Sequence, residues 1–223
     1  MLCYQKNYPR PQFVRKEWIN LNGIWEFCFD DDNIGEKEGW YGGLKNPKEI
    51  LVPFTYETKL SGIEDEGTHN YIWYGRKIFV YKKEMSEKKL ILHVEGSDFI
   101  TSVWVNGKFV GRHKGGYSRF SFDISLYIND GENYITVKVE DTDDPQQPRG
   151  KQRWIRENFG CWYVQTTGIW KTVWMEYVPK VCLDKVKMSP KLHDKKLEIE
   201  YIVDASDEYK EDQLQVEAEI SFK

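Results

Sequence analysis

From Gly23 to Phe222 the apolar residues recur in short runs that alternate with polar ones, and no long segment repeats at the helical period of 3.6. Period-2 alternation predicts half-buried strands at Gly23–Phe29, Glu49–Val52, Tyr71–Val80, Leu90–Val94, Tyr134–Val139 and Ile169–Val178. In the fifth run Ile135, Val137 and Val139 share one face. Val103–Val105 and Lys108–Val110 flank Asn106-Gly107, a dipeptide that accepts φ > 0 at both positions and so predicts a type I′ hairpin. Eight or more short strands separated by turn signals imply an all-β sandwich or jelly roll.

A domain boundary is expected near Pro179–Lys180, giving units 1–179 and 180–223. The second unit holds strand signals at Lys185–Met188, Lys196–Val203 and Gln213–Phe222. In the last, Leu214, Val216, Ala218, Ile220 and Phe222 alternate with Gln215, Glu217, Glu219 and Ser221. Three strands fall short of the roughly seven of an immunoglobulin-like sandwich. The second domain is therefore expected to be truncated, with unpaired strand edges that invite homo-oligomerisation.

Composition narrows the partners. The 223 residues carry a net charge of −4, 30% charged and 15% aromatic side chains. With no basic stripe, neither nucleic acid nor an anionic membrane is expected as partner. No run approaches the ~18 apolar residues of a membrane span. Cys3, Cys28, Cys161 and Cys182 are widely spaced without a CxxC pair, and the first residues lack a secretory pattern. A cytoplasmic protein with reduced thiols is expected. His69, His93, His113 and His193 show no HxH or HExxH spacing, so neither a metal nor another cofactor is expected. There is also no GxSxG elbow. His113 reads as a turn residue anchoring a loop through its ring nitrogens.

The densest chemistry lies between Asp141 and Trp174. Asp141, Asp143 and Asp144 follow a predicted strand directly, so their carboxylates sit at the sheet rim. They are suited to accept hydrogen bonds from sugar hydroxyls, or else to cap an Asx-rich turn; the spaced DxDxDG pattern of calcium loops is missing. Arg149 and Gln152 offer donors around Gly150, for a ligand or for pairing with the Asp cluster. Trp154, Trp162, Tyr163 and Trp170 are candidates to stack on a pyranose ring, with Trp154 expected exposed. Trp170 and Trp174, on one face of a strand, are expected in the core.

Taken together, several segments resemble the N-terminal domain of glycoside hydrolase family 2, the family of β-galactosidases, β-glucuronidases and β-mannosidases. They are Leu21–Phe27, Ile50–Phe54, Tyr71–Arg76, Val103–His113, Gly115–Tyr117, Phe120–Ile124, Pro148–Gln152 and Thr167–Trp174, in the family's order over about residues 8–178. The resemblance implies a jelly-roll (galactose-binding-like) β-sandwich followed by a truncated immunoglobulin-like β-sandwich. It also implies a catalytic TIM barrel in the parent protein, carrying the two glutamates of a retaining β-glycosidase. A barrel takes roughly 250 residues, so this chain alone is expected to be catalytically silent. It further implies that an acidic residue after the Tyr134–Val139 strand reaches the barrel and binds sugar hydroxyls. That role falls to Asp143 or Asp144, less readily to Asp141, with Arg149, Gln152 and Trp154 as neighbours on the substrate. The expected partners are a β-glycoside or oligosaccharide and the barrel of the parent chain. Two rival readings stay open: a stand-alone carbohydrate-binding module, and a structural domain docking on the barrel. Without its barrel, the loop around Arg149–Phe159 is expected to be disordered or folded back on itself.

Overall fold

The computed structural model describes residues 7–10, 13–205 and 214–221. The backbone divides into two compact units that meet between Tyr177 and Val178. The first carries β1 (Trp18–Asn20), β2 (Gly23–Phe29), β3 (Lys48–Val52), β4 (Tyr71–Val80), β5 (Lys88–Val94) and β6 (Ser97–Asp98). It continues with β7 (Ile100–Val105), β8 (Lys108–Lys114), β9 (Phe120–Asp123), β10 (Gly131–Glu140) and β11 (Gly168–Ile169). Strand β12 (Val173–Pro179) runs through the junction, and β13 (Cys182–Lys191) and β14 (Lys196–Asp204) follow.

Besides a short pairing of β6 with β11, two larger antiparallel sheets form the first unit, a six-stranded one in the order β3-β2-β4-β10-β7-β8 and a four-stranded one in the order β1-β12-β5-β9. Their facing sides supply one core. The larger sheet contributes Trp25, Phe27, Ile72, Tyr74, Val103, Val105, Ile135, Val137 and Val139, and the smaller one Leu90, Leu92, Val94, Val173 and Met175. This is a β-sandwich. Each fully buried large side chain stabilises it by about 1.5–3 kcal/mol. The pleat sends Trp73 and Trp104 to the opposite face of the larger sheet, where Trp40 and Leu44 cover them. The two indoles stack there at 5.4 Å.

The Asn106-Gly107 turn has the two positive φ values a type I′ hairpin needs, 52° and 76°. Three expectations need correcting. The run from Ile169 to Val178 is two strands, because Trp170 and Lys171 both donate their backbone N–H to the Gly96 carbonyl and break the ladder before Val173. Trp174 is fully buried as expected, but Trp170 turns out of the core and is only half-buried. His113 lies in β8, not in a turn; its ring stacks on Phe120 at 4.3 Å, although its Nε2 does reach the Ser118 hydroxyl beyond the strand.

In the second unit β13 and β14 form a two-stranded antiparallel ribbon. The third expected strand is not seen: residues 214–221 make no ladder, and Gln213 and Phe222 lie outside the described residues. An alternating pattern gains nothing from extension unless a partner supplies hydrogen bonds and a facing apolar layer.

Candidate functional site

The segment between β10 and β11, residues 141–167, folds back on itself at one end of the sandwich. Arg153 N–H bonds the Tyr163 carbonyl at 2.6 Å, and Tyr163 N–H bonds the Lys151 carbonyl at 2.9 Å. A short turn between Phe159 and Trp162 closes the tip.

Its inner side is fixed by buried polar groups. Asp141, the carboxylate ranked behind Asp143 and Asp144 from sequence, is buried at the root. It accepts from the Thr167 hydroxyl at 2.7 Å and from the Gln147 amide at 3.3 Å. Burial pushes its pKa up, against the lowering effect of the Thr167 hydrogen bond and the Arg149 charge. Glu57 lies below it and accepts the Thr167 backbone N–H at 2.9 Å. Its other oxygen, Oε2, is buried without a partner. Burial raises the Glu57 carboxyl to about 7. Asp98, at the end of β6, is 4% exposed and is raised to about 6 by burial and then by the nearby Asp141 charge, while the Gln152 hydrogen bond lowers it.

Three cationic or amide side chains staple the segment to this floor. Arg149 donates Nη1 to the Thr142 carbonyl and Nη2 to the Arg153 carbonyl at 2.9 Å. Gln152 bridges, donating Nε2 to Asp98 at 2.8 Å and accepting the Thr166 N–H at 2.9 Å. Arg153, 6% exposed, donates to Gln165 at 3.1 Å, Asn158 at 3.2 Å and the Glu66 carbonyl at 2.8 Å. Sequence reasoning passed over Arg153, Gln165, Glu57 and Asp98.

The outer side is open, and the five residues singled out from sequence divide around it. Asp143 and Trp154 are exposed and line one shallow recess with Arg149, Arg153 and Ile155. Asp144 is exposed outside that recess and accepts the Gln146 N–H at 2.9 Å, the geometry of an Asx turn. Trp154 packs edge-on against Phe159 and Trp162, with centroids 5.1 and 4.7 Å away. On the other side of Arg149 a second, larger cleft of about 280 Å³ holds Gln152, Tyr117, Tyr163 and the displaced Trp170. Gly116 sits so tightly on Asp98 at its base that a Cβ there would lie 2.2 Å from Oδ1.

A fixed floor of carboxyls and a rim of exposed rings, amides and cations suits a polyhydroxylated ligand: hydroxyls pair with the polar groups while C–H faces lie on aromatic ones. No group of three or more His, Cys, Asp or Glu among the described residues is arranged to hold a metal ion.

Comparison with known proteins agrees with that chemistry. Residues 18–179 match the family described as "Glycosyl hydrolases family 2, sugar binding domain". A β-galactosidase of Thermoanaerobacter pseudethanolicus is 30% identical over 166 residues, covering 72% of this chain and 20% of the relative. A β-glucuronidase of Paenibacillus borealis is 31% identical over 137 residues, covering 59% of this chain and 22% of the relative. Among solved structures, Ruminococcus gnavus β-glucuronidase superposes with a TM-score of 0.72 at 22% identity, over 92% of this chain and 36% of that one. A β-glucuronidase from an uncultured Clostridium sp. gives 0.68 at 25% identity, over 92% and 36%. The chain thus spans about a fifth of the length of these relatives and about a third of these solved chains.

Proposed function

The chain belongs to glycosyl hydrolase family 2, whose sugar-binding domain it carries at residues 18–179, and from that premise we propose that it is the non-catalytic, sugar-contacting part of a retaining β-glycosidase. In this reading the first unit is a jelly roll whose 141–167 loop meets a catalytic barrel in the parent protein. Asp143 accepts hydrogen bonds from hydroxyls of a β-glycoside, and Trp154 lies against a sugar face. Arg149 and Gln152 hold the loop in register and close one wall. The observation that carries the reading is the shared recess of Asp143 and Trp154, both exposed, on a loop whose Asp141, Arg149 and Arg153 are engaged inward.

The chemistry of hydrolysis lies elsewhere. Retaining cleavage needs two carboxyl groups about 5–5.5 Å apart flanking the scissile bond, one as acid/base and one as nucleophile. The buried Glu57, Asp98 and Asp141 are instead turned to backbone and side-chain donors of their own fold. The unpaired outer edges of the β13–β14 ribbon are the surface through which a homo-oligomer would form.

Asp144 favours a second reading for its own position, a turn cap without sugar contact. The two roles separate in the longer enzyme. Asp143→Ala is expected to raise KM and lower kcat/KM on small β-glycosides by tenfold or more, the effect of one hydrogen bond to a buried ligand, while Asp144→Ala shifts thermal stability and leaves kcat/KM within about twofold. Unchanged kinetics for Asp143→Ala would remove it from the site.

A further inference from the structure

The cleft on the Tyr163 side of the loop is a different surface from the Asp143–Trp154 recess, and its chemistry is different too. At about 280 Å³ it lies at the small end of ligand pockets, with room for one sugar ring. Tyr117 and Tyr163 are 53% and 60% exposed on its walls. Trp170 is fixed there by its Nε1 hydrogen bond to the Gly116 carbonyl at 2.8 Å and stands edge-on to Tyr117 at 6.1 Å. A Trp displaced from the core and anchored by its one polar atom presents a rigid apolar face at the surface.

The charges around those rings are mainly cationic, in a chain whose net charge is −4. Lys151 is exposed on the wall and has no ion-pair partner among the described residues. Arg149 beside it spends both terminal nitrogens on backbone carbonyls, and its Nε is buried without an acceptor. Lys171, which lines a neighbouring recess rather than this cleft, holds its ammonium 4.5 Å from the Trp170 ring. The acidic group at the base, Asp98, is buried and occupied by the Gln152 amide.

We propose that this cleft is a carbohydrate subsite for a single anionic pyranose, a sugar carrying a carboxylate or sulfate, with the ring on Tyr163 and Tyr117 and the anion at Lys151. Tyr163 supplies the larger share of affinity, because stacking removes apolar area from water. Lys151 supplies selectivity, as one exposed ion pair shifts an equilibrium only about threefold to fivefold and is screened by salt. The proposal does not depend on the assignment of Asp143 and Trp154.

The test is a titration of the 223-residue chain, followed by ligand-observed NMR and by tryptophan fluorescence, with methyl β-D-glucuronide, methyl β-D-glucoside and a glucoside 6-sulfate. Binding of both anionic sugars on the order of 1 mM is expected, with the neutral glucoside at least threefold weaker. Lys151→Ala brings the three to parity, Tyr163→Ala weakens all of them, and 0.5 M NaCl erases the preference. Both substituted side chains are exposed, so the variants keep the fold. Asp143→Ala leaves the three affinities unchanged, which separates this cleft from the recess tested in the longer enzyme. Parity in the native chain overturns the proposal. So does the absence of any binding, or binding lost with Asp143→Ala and kept with Tyr163→Ala.

Discussion

Replacing Arg153 by Ala removes a guanidinium that is 6% exposed, leaves the Gln165 amide oxygen and Asn158 without its donation, and leaves the Glu66 carbonyl with the Gln165 amide alone. A buried charge–dipole network broken at its centre costs about 3 kcal/mol, so Arg153→Ala is expected to lower the melting temperature by several degrees in calorimetry. Lys at the same position recovers only part of it, since an ammonium cannot serve three directions in one plane. The carboxyls beneath the loop set the pH response. Glu57 has an ordinary value of 4.5 and stands near 7 when folded; Asp98 goes from 3.8 to about 6. Over those windows the folded chain binds more protons than the unfolded one, so stability is full below about pH 4 and falls as pH rises towards 7. Glu57 alone accounts for a loss on the order of 3 kcal/mol. Glu176 works in the opposite sense. Burial tends to raise it, but hydrogen bonds from His93 and Tyr8 and the Arg15 charge together hold it below its ordinary value, so its contribution disappears as pH falls. Maximum stability on the acid side of neutrality follows. Urea denaturation at pH 5.5 and 8 checks it: greater stability at pH 8 would contradict the account, and Glu57→Gln should flatten the slope.

At the level of strands, period 2 made most of the first unit readable, because both sheets bury one face and expose or separately cover the other. The Asn106-Gly107 hairpin and the β2, β4, β5 and β10 runs all follow from that rule. The rule failed where a strand is broken by a contact distant in sequence. The Gly96 carbonyl that captures Trp170 and Lys171 lies some 75 positions away, and no local pattern announces it. The loop failed for a related reason: Asp141 and Asp143 are the same residue type two positions apart, and only tertiary burial separates a floor from a rim. Gly168 marks the return into the sandwich at φ +90°, where a Cβ would sit 2.2 Å from the Tyr74 hydroxyl oxygen. Gly168→Ala therefore combines a strained backbone with a clash, and is expected to cost about 2–4 kcal/mol in denaturant titration. Amide exchange should also grade by element. Amides of β4 and β10, central and paired over ten residues, are expected to exchange at least a hundredfold more slowly than those of β13 and β14. That ribbon has no third strand among the described residues, and most of β14 is exposed. Equal protection would mean the ribbon is covered in solution.

For the molecule as a whole, the family and the sandwich were legible in the sequence, because the matching segments lie in strands and turns that the fold cannot do without. The orientation of the loop's side chains was not. The 223-residue chain is expected to release no chromophore from aryl β-galactosides or β-glucuronides above background, since the proposed reading puts both catalytic glutamates in a barrel of the parent protein; measurable turnover would require a reassignment of the buried acids. The stapling of the 141–167 segment has a further consequence. Its anchors are backbone carbonyls and buried side chains, while the exposed side chains of Asp143, Lys151 and Tyr163 carry little of its folding energy. Those outward positions are therefore free to drift, and one scaffold can diversify its ligand preference by point substitution without each new variant having to re-establish how it folds.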